Sequence, residues 1–135
     1  MSIIAVRQSL EVALFSMTPA IDIAWENQPY TVVVGTPFVR AALIPDSVEN
    51  PEITGHFHRL VGLFYLEFNY PKNTGSVTAA TRAELTKQTF KFRSSFVNSG
   101  VTTTISGTPE IGRGSNVGDW WILPMRMPWY ANILS

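Results

Sequence analysis

Apolar residues return at three- and four-residue steps from the start of the chain. Ile3, Val6, Leu10, Ala13, Leu14 and Met17 share one side of a helical wheel, and Arg7, Gln8 and Glu11 fall largely opposite. Ser2 supplies an N-cap, and Thr18-Pro19 ends the helix because the residue before a proline avoids the α region. The spacing predicts an amphipathic helix over residues 2–17. The period then drops to two. Ile21, Ile23 and Trp25 alternate with Asp22, Ala24 and Glu26, as in a half-buried strand, and Asn27-Gln28-Pro29-Tyr30 reads as a turn into an extended connection. Residues 36–44 have the β-branched and aromatic content of a second strand, stopped by Pro45. Residues 45–55 carry two prolines and three acidic residues, which predicts a loop or hairpin arm projecting from the sheet.

Residues 57–70 form the strongest strand signal. Phe64, Leu66, Phe68 and Tyr70 share one face, Leu63, Tyr65, Glu67 and Asn69 the other, and both faces are largely apolar through the middle. That pattern implies a central position. A turn at 71–75 leads into a second helix over 76–92, capped by Ser76, with Val77, Ala80, Thr81, Leu85 and Phe92 as an inner stripe. Arg82, Lys87, Lys91 and Arg93 then face solvent. Asn98-Ser99-Gly100 turns into a Thr-rich strand at 101–104, residues 107–118 read as a long glycine-rich loop, and an aromatic strand over 120–130 closes the chain. Its two prolines suit an edge or a bulge. The order predicts an α+β fold: a mainly antiparallel sheet of about five strands with two helices packed on one face.

A length of 135 residues fits one domain, 1–135. Charged residues make up 15%, well below the usual quarter. Either neighbouring subunits cover part of the surface, or Thr, Ser and Asn replace charge in a β-rich domain. The absence of cysteine excludes disulfides and thiol chemistry. No basic region precedes an apolar core at the N-terminus, and no apolar run approaches the ~18 residues of a membrane span, so a soluble chain without a membrane partner is expected. The net charge of zero hides a division. Before Lys72 there are three basic and seven acidic residues, and from Lys72 onward seven basic and three acidic. If the halves occupy different flanks, copies can dock head to tail and close a ring; if they interleave, the dipole cancels.

Candidate chemistry is thin. His56 and His58 would point to one side of a strand and could share a metal, but a third ligand from Glu49 or Glu52 is not arranged by the spacing. Gly112-Arg113-Gly114 lacks the Lys-Ser/Thr of a phosphate loop and no helix follows it, so the segment reads as a flexible loop or an arm that orders on assembly. Lys72, Arg82, Lys87, Lys91 and Arg93 could meet DNA phosphates without sequence preference, or could simply be a solvated helix face. No carboxylates are paired by spacing for acid–base work, so neither an enzyme nor a cofactor is expected. Trp120 and Trp121 face opposite sides of a strand, which makes one of them a candidate interface anchor.

In this order of elements the chain resembles the tail terminator proteins of long-tailed bacteriophages. The resemblance rests on the helix over residues 4–15, Trp25-Glu26-Asn27 with Pro29-Tyr30, Gly35-Thr36-Pro37-Phe38-Val39-Arg40 and Leu43-Ile44-Pro45. The strand after Gly62, the second helix, the loop 112–118 with Asp119-Trp120-Trp121 and a last strand ending near Tyr130 complete it. It implies an α+β subunit of a hexameric ring, assembled in the bacterial host cytoplasm and placed at the head-proximal end of the virion tail. Such a ring stops tube polymerisation, docks head-completion or connector proteins, and leaves a lumen for DNA. The partners it implies are other copies of the chain, the tail tube protein and the connector, with DNA only in passage. The candidate contact residues are Glu49 and Glu52 on the arm, Arg113 and Asp119 in the loop, and Trp120 and Trp121. Arg82, Lys87 and Lys91 are candidates for the lumen or an assembly face. The alternatives are a head–tail joining protein, a tail-tube subunit or, remotely, a small ligand-binding α+β domain.

Overall fold

The structure, a computed structural model, describes residues 2–51 and 55–134. The first helix, α1 (Ser2–Phe15), is followed by three strands, β1 (Asp22–Ala24), β2 (Phe38–Glu49) and β3 (Phe57–Pro71). Helix α2 (Val77–Thr89) and the strands β4 (Ser95–Asn98), β5 (Val101–Ile105), β6 (Glu110–Ile111), β7 (Ser115–Val117) and β8 (Trp120–Leu134) complete the chain. The sheet order is β1-β2-β3-β8-β5-β4, with β6 and β7 also paired to β8. The α+β class is as predicted, but among the described residues the sheet has eight strands rather than about five. It is also mixed, because β1 runs parallel to β2.

Cross-strand register builds the core. Val39, Phe68 and Leu123 line up across β2, β3 and β8; Ala41, Leu66 and Met125 form the next row, and Leu43, Phe64 and Met127 the third. All nine are buried. Val6, Leu10 and Leu14 of α1 join the same cluster, as do Ala79 and Ala83 of α2 and Phe90 just beyond it. Both helices therefore lie on this face, α1 over β4 and β5, α2 over β3 and β8. Each large apolar side chain in these rows contributes roughly 1.5–3 kcal/mol of burial. The apolar stripe read for α1 is the buried one. Ser2 opens that helix, but its side chain is not among those described.

Two predicted features of α2 are corrected. Its buried residues are Ala79, Arg82, Ala83 and Thr86, while Val77 and Phe92 are exposed. Small residues face the sheet because they let the helix approach closely, and the bulkier stripe is left on the flank. Ser76 does occupy the N-cap position, but its hydroxyl makes no capping bond.

The prolines of β8 sit in an interior strand, not at an edge. On one side β8 pairs with β3 from Trp120 to Leu134. On the other side β7 pairs at Trp120–Ile122, β6 at Met125 and Arg126, and β5 at residues 129–131. Pro124 and Pro128 fall in the two gaps between these partners. Their carbonyls accept from Gly112 N (2.8 Å) and Ser106 N (3.0 Å) on that interrupted side. In an antiparallel ladder a residue's N and O point the same way, so each missing N–H falls where the partner strand breaks.

Residues 107–118 are consequently no free loop. Besides β6 and β7, Gly112 and Gly114 press their backbones onto Pro124 and the Trp121 ring, where any Cβ would collide. Pro45 likewise does not stop β2, which passes through a bulge between Pro45 and Ser47 and continues to Glu49 opposite Arg59. The arm over 45–55 is therefore a hairpin extension as far as it is described, and the strands continue into it.

The sheet also separates the two halves of the chain. The acid-rich half supplies β1-β2-β3 and the base-rich half β8-β5-β4, while α1 crosses onto β4 and β5 and α2 onto β3.

Candidate functional site

The Trp25-Glu26-Asn27 segment closes a corner of the fold. β1 pairs with only the first three residues of β2, so the outer edge of β2 is open beyond Arg40. Glu26 fills part of it: its Oε1 accepts the Leu43 backbone N–H at 2.6 Å and the Arg7 guanidinium at 2.7 Å. Burial pushes the Glu26 carboxyl up, but the bonds from Arg7 and Leu43 and the Arg7 charge outweigh it and hold the group below its ordinary range. Arg7 reaches Glu11 only at 3.7 Å, and there burial dominates and leaves the carboxyl raised.

Tyr30 then folds over the helix-free face. Its ring lies 5.0 Å from Phe38, which meets Trp120 edge-on at 5.1 Å and 83°, and the Arg40 guanidinium sits 5.2 Å over Phe38. Tyr30 donates to Asp22 Oδ2 at 3.3 Å, and burial together with that carboxylate raises the phenol's pKa. Trp120 is thus half-buried in an aromatic stack on one face. Trp121 is half-buried on the other, against a groove of about 780 Å³ beside α2 that Val77, Leu85, Ile111 and Leu123 also line. Its Nε1 is buried with no hydrogen-bond partner among the described residues.

Beyond the stack the helix-free face is mixed, apolar side chains alternating with Arg59 and with Arg126, which is ion-paired to Glu110 at 3.0 Å. Ile44, Leu63 and Pro128 form one row across it, and Ala42, Tyr65 and Arg126 the next. Val61 and Tyr130 continue it toward the arm, where Arg59 lies 4.9 Å over the Tyr130 ring. Leu63, Tyr65, Pro128 and Tyr130 are half-buried and Ile44 is 44% exposed. Exposed apolar residues also gather at Val32, Val33 and Val34 in the connection from β1 to β2, a run the sequence reading did not single out.

The expected basic face does not form as predicted. Lys87 is half-buried and Lys91 exposed, but Arg82 is only 9% exposed, and its Nη1 is buried without a partner among the described residues. Arg82 points inward because it falls on the same side of α2 as Ala79, Ala83 and Thr86. There it lines a cavity of about 520 Å³ with Ile21, Ile23, Trp25 and Tyr70. Glu49, Arg113 and Asp119 are all exposed, and the Asp119 carbonyl accepts from Lys72 N at 2.9 Å. Glu52 lies outside the described residues. These candidates occupy separate regions rather than one site.

Among the described residues no group of three or more His, Asp or Glu could hold a metal ion, and His56 and His58 bring no such set together. Among the described residues no helix is long and apolar enough to cross a membrane. A solved structure 19% identical in sequence superposes with a TM-score of 0.80, the match covering 100% of this chain and 98% of the other, which establishes the fold as one seen elsewhere. No curated protein matches the chain. The family model described as phage tail terminator protein matches residues 5–129, from within α1 to the Trp129 of β8. With that match spanning nearly every element described above, the chain belongs to the phage tail terminator proteins, a family of structural proteins that complete the tail.

Proposed function

We propose that copies of this chain close into a hexameric ring on the head-proximal end of the tail tube, ending tube growth and presenting a docking surface to the head-completion proteins. The observation that carries this reading is the helix-free face of the sheet. Among the described residues Ile44, Leu63, Tyr65, Pro128 and Tyr130 form a run of exposed and half-buried apolar side chains with no helix over it, flanked by the Arg126–Glu110 ion pair. A surface of this kind marks an interaction site more often than idle exposure. The family membership supplies the context, and the uneven charge of the two halves of the chain supports a heterologous, head-to-tail contact. DNA passes through the lumen without specific recognition.

The test has two parts. Purified protein, alone and with tail tubes added, is examined by light scattering and negative-stain microscopy; closed rings are expected. Monomers under both conditions would overturn the proposal, and long filaments would point to a tube subunit instead. Tails from phage lacking the protein are expected to be overlong and headless.

A further inference from the structure

Among the described residues Arg82 is the charged side chain most deeply buried. A guanidinium carries five donors and cannot lose its charge, so burying it without acceptors is costly. Yet it is 9% exposed, and Nη1 has no partner among the described residues. The cavity it lines opens between β1, α2 and the end of α1, with walls of Ile21, Ile23, Trp25 and Tyr70. Asp22 also stands on the wall, but among the described residues its carboxylate makes no ion pair with Arg82 and accepts from the Tyr30 hydroxyl at 3.3 Å. The chemistry such a site takes is a second carboxylate on an apolar stem, because a planar fork of donors matches a carboxylate's two oxygens.

The chain carries such a group at the opposite end of the sheet. Glu49 closes β2 opposite Arg59, on the exposed hairpin arm that also bears Asp46. Tyr70, on the cavity wall, stands eleven positions along β3 from Arg59, roughly 35 Å at about 3.3 Å per residue. Glu49 cannot reach Arg82 of its own subunit across that span. It can reach Arg82 of another copy, and a contact joining opposite ends of like subunits is heterologous, the kind that propagates around a ring. From these observations we infer that the acidic arm of one copy seats in the Arg82 cavity of the next, with Glu49 supplying the acceptor that the buried guanidinium lacks. This inference rests on the ring reading and names one of its contacts.

The absence of cysteine gives a clean test. Asn50→Cys places one thiol on the exposed arm beside Glu49, which keeps its carboxylate, and Thr36→Cys places another on the cavity wall. The two variants are mixed under assembly conditions and oxidised with diamide. A disulfide-linked dimer is expected in the mixture at ten-fold or more over either variant alone, and Val97→Cys, exposed on β4, should not substitute for Thr36→Cys. Glu49→Arg, on the exposed arm where folding is not at stake, should raise the concentration for half-assembly at least ten-fold. Rings that form without the cross-link, from wild-type and Glu49→Arg protein alike, would overturn this inference and leave the ring. A cross-link in open dimers that never close would overturn the ring and leave the contact. Neither rings nor cross-link would overturn both.

Discussion

Glu26 and Leu43 meet at 2.6 Å, carboxylate oxygen to backbone nitrogen, seventeen residues apart in the chain. One side chain thereby occupies the free edge of β2, and through Arg7 at 2.7 Å it also ties α1 to that edge. Glu26→Ala leaves the Leu43 N–H without its acceptor, and Arg7 keeps only Glu11 at 3.7 Å. The expected loss is about 1–2 kcal/mol in urea unfolding, since the site is only part-buried and water can replace some of the bond. Glu26→Gln keeps an acceptor for Leu43 and should lose less than half of that. Equal losses for the two variants would mean the ion pair to Arg7 dominates.

The same corner predicts a pH dependence. Glu26 titrates below its ordinary 4.5 in the folded chain, so the stability it contributes is complete above that value. It is lost as pH falls through the lowered folded value. Thermal melts of wild type and Glu26→Gln should converge as pH drops below about 4.5. Glu11, whose carboxyl is raised by burial, acts in the opposite sense, because ionising it works against the folded state as pH rises through its range. Glu11→Gln should therefore narrow the difference between neutral and mildly acidic pH. A gap between wild type and Glu26→Gln that stays constant from pH 7 to pH 3 would refute the assignment.

Gly62 illustrates a close approach. A Cβ there would come within 2.7 Å of the fully buried Trp129 ring and would strike the Ile44 carbonyl. Gly62→Ala is expected to destabilise by about 1–3 kcal/mol through overpacking, with a changed Trp fluorescence. An unchanged melting temperature would show that the Trp129 ring can move aside.

Much of this fold was legible because period and turn chemistry are local. The α1 stripe, the two-faced β3 and the Ser99-Gly100 turn, with φ of 51° and 78° matching a two-residue hairpin, all follow from short-range rules. What was not legible depends on partners distant in sequence. Pro124 and Pro128 suggested an edge strand because nothing local reveals that β5, β6 and β7 break at those residues. Strands of two and three residues carry no periodicity, so β6 and β7 were hidden inside a glycine-rich segment. For α2 the larger apolar residues pointed to the wrong side, because a sheet already filled by Phe64, Phe68 and Tyr70 leaves room for alanine. Arg82 was misplaced with that stripe. The tie from Glu26 to Leu43 is likewise invisible until β2 is seen to have an open edge.

Thr103 on β5 is fully buried, and its Oγ1 has no hydrogen-bond partner among the described residues. Valine has nearly the same shape and lacks the hydroxyl, and β5 favours β-branched residues. Thr103→Val should stabilise the fold by about 1 kcal/mol in urea unfolding, because it removes a desolvated polar group without opening a cavity. A destabilising result would mean that the hydroxyl does find an acceptor in solution.

The helix-free face separates assembly from folding. Leu63 is half-buried in the row with Ile44 and Pro128, and its side chain points away from the core formed by Phe64 and Leu66. A charge there costs the isolated subunit little, since the lysine stem can lie along the sheet with its ammonium in water. In an assembled ring the same charge would be trapped in an apolar contact and desolvated, a far larger penalty. Leu63→Lys is therefore expected to melt within a few degrees of wild type as a monomer yet fail to form rings by light scattering. Arg59→Lys, which keeps the charge at the far end of the same face beside Tyr130, should assemble nearly as well as wild type. If Leu63→Lys assembled normally while keeping its fold, the open face of the sheet would not be the surface that copies of this chain bury.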